Sequence, residues 1–473
     1  MIEIDHNVIY ALMKNDDLRA AVAGIQKTVP VLGGGKKRYI NFDNAASTPA
    51  LKSVIISLNK FMDYYSSVHR GTGYKSVVST RAYDGAHTDA LEFVGADKNY
   101  FTAIFLKNAT DAINKLARRL DFKREDIVLS SLMEHHSNDL PWRAHAKTWH
   151  IEIQDSGHLD IDDLRAKLRE YRGKVKLVAV TAASNVSGLI PPVREIAALA
   201  HSAGAKIMVD AAQLVAHRKF EMGPPGEPES IDYLVFSAHK MYAPFGIGVL
   251  IGPKKTFKAG DPDSVGGGTV NFVTAADVQW AHLPDKEEAG SPNVPGAVAL
   301  SSAIDFFKTT GFKKIAAHEK ELTIYALKKL SSIDKIRFYG PDKWIDGEDR
   351  VGVISFNIDG LYHAVAAAVL SYEGAIAVRN GCFCAHPYIQ RLLRITDQEA
   401  ARYRDDINKG IRLRVPGMVR ISFGIYNTKS EIDIFAKVIE TIVKGEYRGR
   451  YAVDERTGEA SPAGFRFKSE TPY

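Results

Sequence analysis

At 473 residues the chain exceeds one compact core, which points to two domains or a large α/β domain with a smaller companion, and away from a one-module binder. Hydrophobic residues make up 45% and charged residues 25%, and no apolar run nears the roughly 20 residues of a membrane span, so a folded protein without membrane contact is expected. A net charge of +6, from 62 Lys and Arg against 56 Asp and Glu, is too dilute to imply a nucleic-acid partner.

The opening stretch carries Asp5, Asp16 and Asp17 and lacks an apolar core behind a basic start, so it does not read as a secretory signal, and a cytoplasmic location is the default. The run Gly33-Gly34-Gly35-Lys36-Lys37 lacks P-loop spacing and reads as a flexible entry segment. From about residue 40 to 255, short apolar runs alternate with segments of helical period. The runs are Ala103 to Leu106, Ile127 to Ser130, Val175 to Val180, Ile207 to Asp210, Tyr233 to Ser237 and Ile247 to Ile251. That rhythm predicts a largely parallel sheet covered on both faces. One intervening helix starts at Pro191-Pro192 and stops at Gly204, and the stretch from Ala211 to Ile231 is polar and rich in Pro and Gly, as a loop would be. The glycines at 266 to 268 lack dinucleotide-fingerprint spacing and read as a tight loop.

After Gly296 the pattern changes to long helices, Gly311 to Ser332 and Ser430 to Lys444, with strands at Val353 to Asn357 and Val419 to Phe423. A second, smaller α+β domain is expected there, with Thr428, Ser430 and Glu431 at a helix start. The expected organisation is an N-terminal segment over 1–40 packing on the small domain, a large domain over 41–296, the small domain over 297–445 and a polar tail over 446–473 without clear periodicity.

In such sheets ligands bind beyond the carboxyl ends of the strands. One run ends in Asp210, followed by Ala211-Ala212-Gln213, and another ends in Ser237-Ala238-His239-Lys240. A carboxylate beside a lysine on neighbouring strand ends suits pyridoxal phosphate, which needs an amine for a Schiff base, an acid for the pyridine nitrogen and donors for a dianionic phosphate. Lys240, Asp210 and the pair Ser237 and His239 supply these in turn. Ala109 and Thr110, where a strand runs into a helix, offer backbone amides and a hydroxyl to the phosphate. An imidazole of Glu134-His135-His136-Ser137-Asn138 is placed to lie on the pyridine ring, and the absence of a third ligand at metal spacing argues against zinc. Both cysteines of the chain fall in the triplet Cys382-Phe383-Cys384, where Arg379 is expected to lower a thiol pKa.

Eight runs occur in an order that resembles the class V aminotransferase superfamily, specifically the group II cysteine desulfurases and selenocysteine lyases. They are Asn41-Phe42-Asp43-Asn44-Ala45-Ala46, Val68-His69-Arg70-Gly71, Met133-Glu134-His135-His136, Ala183-Ser184-Asn185-Val186-Ser187-Gly188, Val209-Asp210-Ala211-Ala212-Gln213, Phe236-Ser237-Ala238-His239-Lys240, Glu288-Ala289-Gly290-Ser291-Pro292-Asn293 and Val378-Arg379-Asn380-Gly381. The resemblance implies the pyridoxal phosphate-dependent transferase fold type I, an α/β fold whose large domain holds a mostly parallel seven-stranded sheet. It implies Lys240 as the Schiff-base lysine, Asp210 on the pyridine nitrogen, Gln213 on the ring hydroxyl and His135 stacked on the ring. Thr110, Ser237 and His239 would hold the phosphate, and Ser291 matches a position that reaches the phosphate of the other subunit, implying a homodimer. Asn185 and Arg420 match positions that bind the substrate carboxylate, with Arg379 nearby.

Members of this group read Arg-x-Gly-His-His-Cys-Ala-x-Pro, so Cys384 in Arg379-Asn380-Gly381-Cys382-Phe383-Cys384-Ala385-His386-Pro387 stands at the nucleophile position, with Cys382 and Phe383 replacing both His. The string Gly-Cys-Phe-Cys also resembles the desulfurase-like domain of molybdenum-cofactor sulfurases. The implied reaction converts L-cysteine to L-alanine, with Lys240 taking the α proton and Cys384 receiving the sulfur as a persulfide for a sulfur-acceptor protein or small thiol. Alternatives sharing the cofactor are a carbon-sulfur lyase, a selenocysteine lyase and a class V aminotransferase. A non-catalytic interaction protein retaining the fold is the alternative outside catalysis.

Overall fold

The computed structural model describes residues 18–467 apart from 346, 348, 414 and 466, so residues 1–17 and 468–473 of the expected end segments lie outside the described residues. The centre is a seven-stranded sheet of β1 (Phe101–Leu106), β2 (Ile127–Ser131), β3 (Lys147–Ile151), β4 (Val175–Thr181), β5 (Lys206–Asp210), β6 (Tyr233–Ser237) and β7 (Gly248–Pro253), in the order β1-β7-β6-β5-β4-β2-β3. Six strands run one way, and β7 is antiparallel to both of its neighbours. The mostly parallel seven-stranded α/β arrangement expected from the sequence is therefore present.

The strands follow from their composition. Along β5 and β6 successive apolar side chains alternate between two cores, Ile207, Val209, Leu234 and Phe236 on one face and Met208, Tyr233 and Val235 on the other. Burial on both faces is what makes a parallel strand read as a continuous apolar run. The edge strand β3, Lys-Thr-Trp-His-Ile, is absent from the expected runs. It is paired on one side only and leaves Lys147 and Trp149 exposed, so it never had to be apolar throughout.

Helices α1 (Lys52–Met62), α2 (Tyr74–Phe93) and α3 (Ala109–Arg119) pack around the sheet. Helix α4 (Val294–Thr310) begins before the expected boundary at 296–297 and buries Ala297, Leu300, Ile304 and Phe307 in the larger sheet-side core. After α4 the chain joins a further core at Leu322, within α5 (Phe312–Ser331), to which Ile40 and Phe42 also belong. That core lies on a four-stranded antiparallel sheet of β8 (Ile336–Tyr339), β9 (Val353–Ile358), β10 (Arg379–Gly381) and β11 (Met418–Ser422), in the order β8-β9-β11-β10, with α6 (His363–Gly374) and α7 (Lys429–Val443) packed on it. Thr428 and Glu431 form the capping box of α7. The described part of the N-terminal segment packs on these elements, with Arg19 paired to Glu431 at 2.8 Å and Ile40 in parallel register with Ile376.

The polar tail, whose sequence shows no clear periodicity, contains two short strands. β12 (Tyr451–Val453) and β13 (Ala460–Pro462) form an antiparallel hairpin. Its order comes from turn chemistry, which hydrophobic periodicity does not report: the Asp454 carboxylate accepts from the amides of Arg456 and Thr457 at 2.9 and 2.8 Å. Gly33 to Gly35 likewise sit between paired strands Thr28–Pro30 and Lys36–Arg38. Among the described residues no helix is long and apolar enough to cross a membrane.

Candidate active site

The parallel strands β1, β2, β4, β5 and β6 all deliver their carboxyl ends to one side of the sheet, where a cavity of about 720 Å³ opens, walled also by residues of β10 and β11. It is lined by Ala109, Thr110, His135, Asn185, Asp210, Gln213, Ser237, His239, Lys240, Arg379, Cys384 and Arg420, which gathers every residue expected at the site except Ser291. Ser291 lies exposed beyond the cavity wall, in the loop before α4.

Asp210 ends β5, buried, with one oxygen accepting from the Ala212 amide at 3.0 Å. Burial pushes its carboxyl pKa up, against the amide and the charge of Lys240, and among the described residues it forms no ion pair. A buried carboxylate in that state is satisfied by a cationic partner in the cavity. Lys240 follows β6 in a short 3₁₀ turn held by Thr48, whose amide and hydroxyl both donate to the His239 carbonyl at 3.0 Å. Burial lowers the Lys240 pKa to about 8; Asp210 opposes the shift and Arg420 adds to it.

Two neutral imidazoles flank this pair. Burial first, then Lys240, His136 and Arg420, lowers the His135 pKa to about 3. The Ser137 amide donates to His135 Nδ1 at 3.1 Å, so the ring proton sits on Nε2. Burial and Lys240 together lower His239 to about 4. At the start of α3 the Ala109 amide donates to Ser237 Oγ at 2.7 Å, and Thr110 Oγ1 lies 2.6 Å from Ser137 Oγ. Hydroxyls from two elements therefore converge on a helix N-terminus, a donor set suited to a phosphate. Gln213 is fixed by donating to the Ala45 carbonyl at 2.7 Å.

On the opposite wall Arg420 is buried on β11. It donates to Asp43 at 2.9 Å and to the Asn185 carbonyl at 2.9 Å, and its guanidinium lies 4.8 Å from the Phe383 ring centroid. Its Nε is buried without a hydrogen-bond partner among the described residues. Asp43 also faces Arg379 at 3.7 Å, so one carboxylate holds both arginines. Asp43 was within a recognised run but carried no assigned role, because its partner is 377 positions away in the chain.

The cysteine loop is pinned at successive residues. Ala385 N–H donates to the Cys382 carbonyl at 2.8 Å, Asn185 Nδ2 to the Phe383 carbonyl at 2.8 Å and His136 N–H to the Cys384 carbonyl at 2.6 Å. These bonds hold Phe383 and Cys384 at φ of 49° and 54°, a left-handed conformation that side chains resist. The His386 amide and Nδ1 approach His136 Nε2 at 3.1 and 3.0 Å, with the rings stacked. This His136–His386 clasp was not anticipated, since nothing in the local sequence of either residue pairs them. Cys384 is exposed to the cavity, whereas Cys382 is half-buried with its thiol donating to the Pro416 carbonyl at 3.0 Å. Among the described residues no group of three metal-ligating side chains converges.

The Aminotransferase class-V family model matches residues 40–435. A probable cysteine desulfurase of Halalkalibacterium halodurans is 36% identical, covering 88% of this chain and 96% of its own length, and a cysteine desulfurase of Haloferax volcanii is 32% identical over 85% and 88%. The apo structure of a cysteine desulfurase from Thermococcus onnurineus NA1 superposes with a TM-score of 0.75 at 31% identity, covering 86% of this chain and 95% of that one. A family match spanning most of the chain, on a fold whose strand ends assemble the matched residues into one cavity, establishes that the protein belongs to the class V aminotransferase family.

Proposed function

We propose that the protein is a pyridoxal phosphate-dependent cysteine desulfurase that moves the sulfur of L-cysteine to Cys384 and releases L-alanine. The observation that carries this reading is the presence of Lys240 and Cys384 on the walls of one cavity, with the arginine-lined wall between them. The relatives' names point the same way.

The donor set fits the cofactor. Asp210 would take the pyridine nitrogen, His135 the ring face and Gln213 the ring hydroxyl. Ala109, Thr110, Ser237 and His239 would take the phosphate, with Lys240 as the amine that anchors it. When bound, pyridoxal phosphate supplies the electron sink for loss of the α proton and release of the β sulfur. Arg420, positioned by Asp43 and Asn185, binds the substrate carboxylate and fixes the amino acid's orientation. Lys240 Nζ, with its pKa lowered to about 8, takes the α proton and returns it. Cys384 Sγ forms a bond to the substrate sulfur as the carbon–sulfur bond breaks, so that L-cysteine and the Cys384 thiol become L-alanine and a Cys384 persulfide. A subsequent acceptor removes that sulfur. Two unpaired thiols suit a reducing compartment, and we place the enzyme in the cytoplasm as a homodimer.

The test is incubation of the cofactor-loaded protein with L-cysteine, with product analysis and mass spectrometry of the Cys384 peptide. Alanine with one added sulfur on Cys384 is expected. Pyruvate and ammonia, or a keto acid, without a sulfur adduct overturns the reading in favour of a lyase or an aminotransferase.

A further inference from the structure

The cavity does not end at Cys384. Its outer wall includes Arg412 and, from the turn of the C-terminal hairpin, Thr457, Gly458 and Glu459. This turn lies after residue 435, beyond the residues that the family model matches.

The hairpin is anchored at both ends. The Glu373 carboxylate on α6 accepts from the amides of Arg448 and Gly449 at 3.0 and 2.9 Å and from the Tyr451 hydroxyl at 3.0 Å. At the tip, the Arg412 amide donates to the Glu455 carbonyl at 2.7 Å. Gly458 has φ of +73°, and a Cβ there would lie 2.8 Å from the Arg412 carbonyl oxygen, so the turn approaches the Arg412 segment as closely as only glycine permits. Arg412 and Glu459 thus bring opposite charges to the mouth of one cavity. Among the described residues neither is in an ion pair. The exposed thiol of Cys384 lines the same cavity.

We propose that the hairpin tip and the Arg412 segment form a binding subsite for the sulfur acceptor, and that the acceptor is a small thiol bearing a carboxylate and an ammonium, the first held by Arg412 and the second by Glu459. This rests on the desulfurase reading. The acceptor thiolate attacks the outer sulfur of the Cys384 persulfide; the sulfur–sulfur bond breaks, its electron pair goes to Cys384 Sγ, and Cys384 regains the proton shed by the acceptor thiol. A cysteine thiol and an acceptor persulfide result, and no oxidant is consumed.

The experiment separates the two steps. The holoenzyme is loaded with one equivalent of L-cysteine, desalted, and mixed with 3-mercaptopropionate, cysteamine or 2-mercaptoethanol while the sulfur remaining on Cys384 is followed by mass. Absence of sulfur on Cys384 after loading defeats the desulfurase reading and the subsite with it. After successful loading, saturable discharge is expected, with half-saturation about tenfold lower for the two charged thiols than for 2-mercaptoethanol, as a single charge-assisted contact gives. Arg412→Ala raises half-saturation about tenfold for 3-mercaptopropionate alone, and Glu459→Gln does so for cysteamine alone. Gly458→Val, which forces the tip away, raises both. Discharge that is unsaturable, or equal for the three thiols and unmoved by the variants, overturns the subsite and leaves a protein as the acceptor.

Discussion

Cys382 and Cys384 are two positions apart in the chain, and their surroundings give them different chemistry. Cys384 is exposed to the cavity in a strained loop, whereas burial, with a smaller contribution from Cys384, pushes the Cys382 thiol up to about 11. A thiol with that pKa is protonated at neutral pH and is a poor nucleophile. Cys384→Ala is expected to abolish sulfur transfer from L-cysteine while leaving cofactor colour intact, because the side chain touches no group that holds the cofactor. Cys382→Ala is expected to cost less than tenfold, and iodoacetamide at pH 7.5 should modify Cys384 first, with Cys382 labelling only as pH rises toward its pKa. Equal labelling rates in peptide mapping would contradict this assignment. Lys240 gives a second residue-level test. Its amine reacts with an aldehyde only when unprotonated, so cofactor uptake by the apoenzyme should rise with pH and level off above about 8, falling about tenfold per unit below. Asp210 is the largest of the influences opposing burial, ahead of Cys384 and Asp43, so Asp210→Asn should move that midpoint to lower pH, as measured by the appearance of the cofactor's absorbance. These residues were legible because each stands at a strand end or in a recognisable run. Asp43 and the His136–His386 clasp were not, since their roles arise from contacts across 377 and 250 positions.

At the scale of elements, the strands buried along their length announced themselves, the edge strand β1 included, and the exposed ones did not. β6 was read at its observed limits, whereas β3 and the C-terminal hairpin, which leave much of their surface exposed, carry no apolar run to reveal them. The antiparallel placement of β7 was also beyond reading from composition, because an apolar strand has the same appearance in either direction. Yet β7 bears on the part of the site proposed above to take the phosphate. Gly248 starts β7 against the backbone of Asn108, which caps α3, so a Cβ at 248 would run into the Asn108 main chain. That backbone cannot withdraw without moving Ala109 and Thr110. Gly248→Ala is therefore expected to cost about 1–3 kcal/mol of stability through overpacking and to weaken cofactor retention by about tenfold or more. Thermal melting with and without added cofactor separates the effects: the variant should gain less from the cofactor than the wild type does.

At the scale of the whole molecule, the loop after the 3₁₀ turn Asp285–Glu287 is held far more firmly than its exposed end requires. Glu288 accepts from the Phe105 amide and the Tyr83 hydroxyl and lies 2.9 Å from His87 Nε2, while Glu287 pairs with Lys115 and Arg119 in the interior. Three residues on, Ser291 stands in solvent. The Gly290 amide donates to the Gly267 carbonyl at 2.7 Å, which ties this loop to the segment leading into the hairpin of Val270–Val273 and Val278–Trp280. That hairpin exposes 63% of Phe272 and 53% of Val273, and Val265 beside it is 66% exposed. A rigid loop presenting a hydroxyl next to an apolar projection supports the homodimer proposed above, in which the cavity of the second copy would receive Ser291. Phe272→Asp is accordingly expected to yield a monomer that retains its secondary structure but loses the cofactor on desalting. Ser291→Ala should remain dimeric and bind the cofactor more weakly, by about the ten- to hundredfold worth of one hydrogen bond to a charged group. Light scattering combined with cofactor absorbance reads both quantities on the same sample, and a wild-type monomer that keeps its full complement of cofactor would remove the second copy from the site.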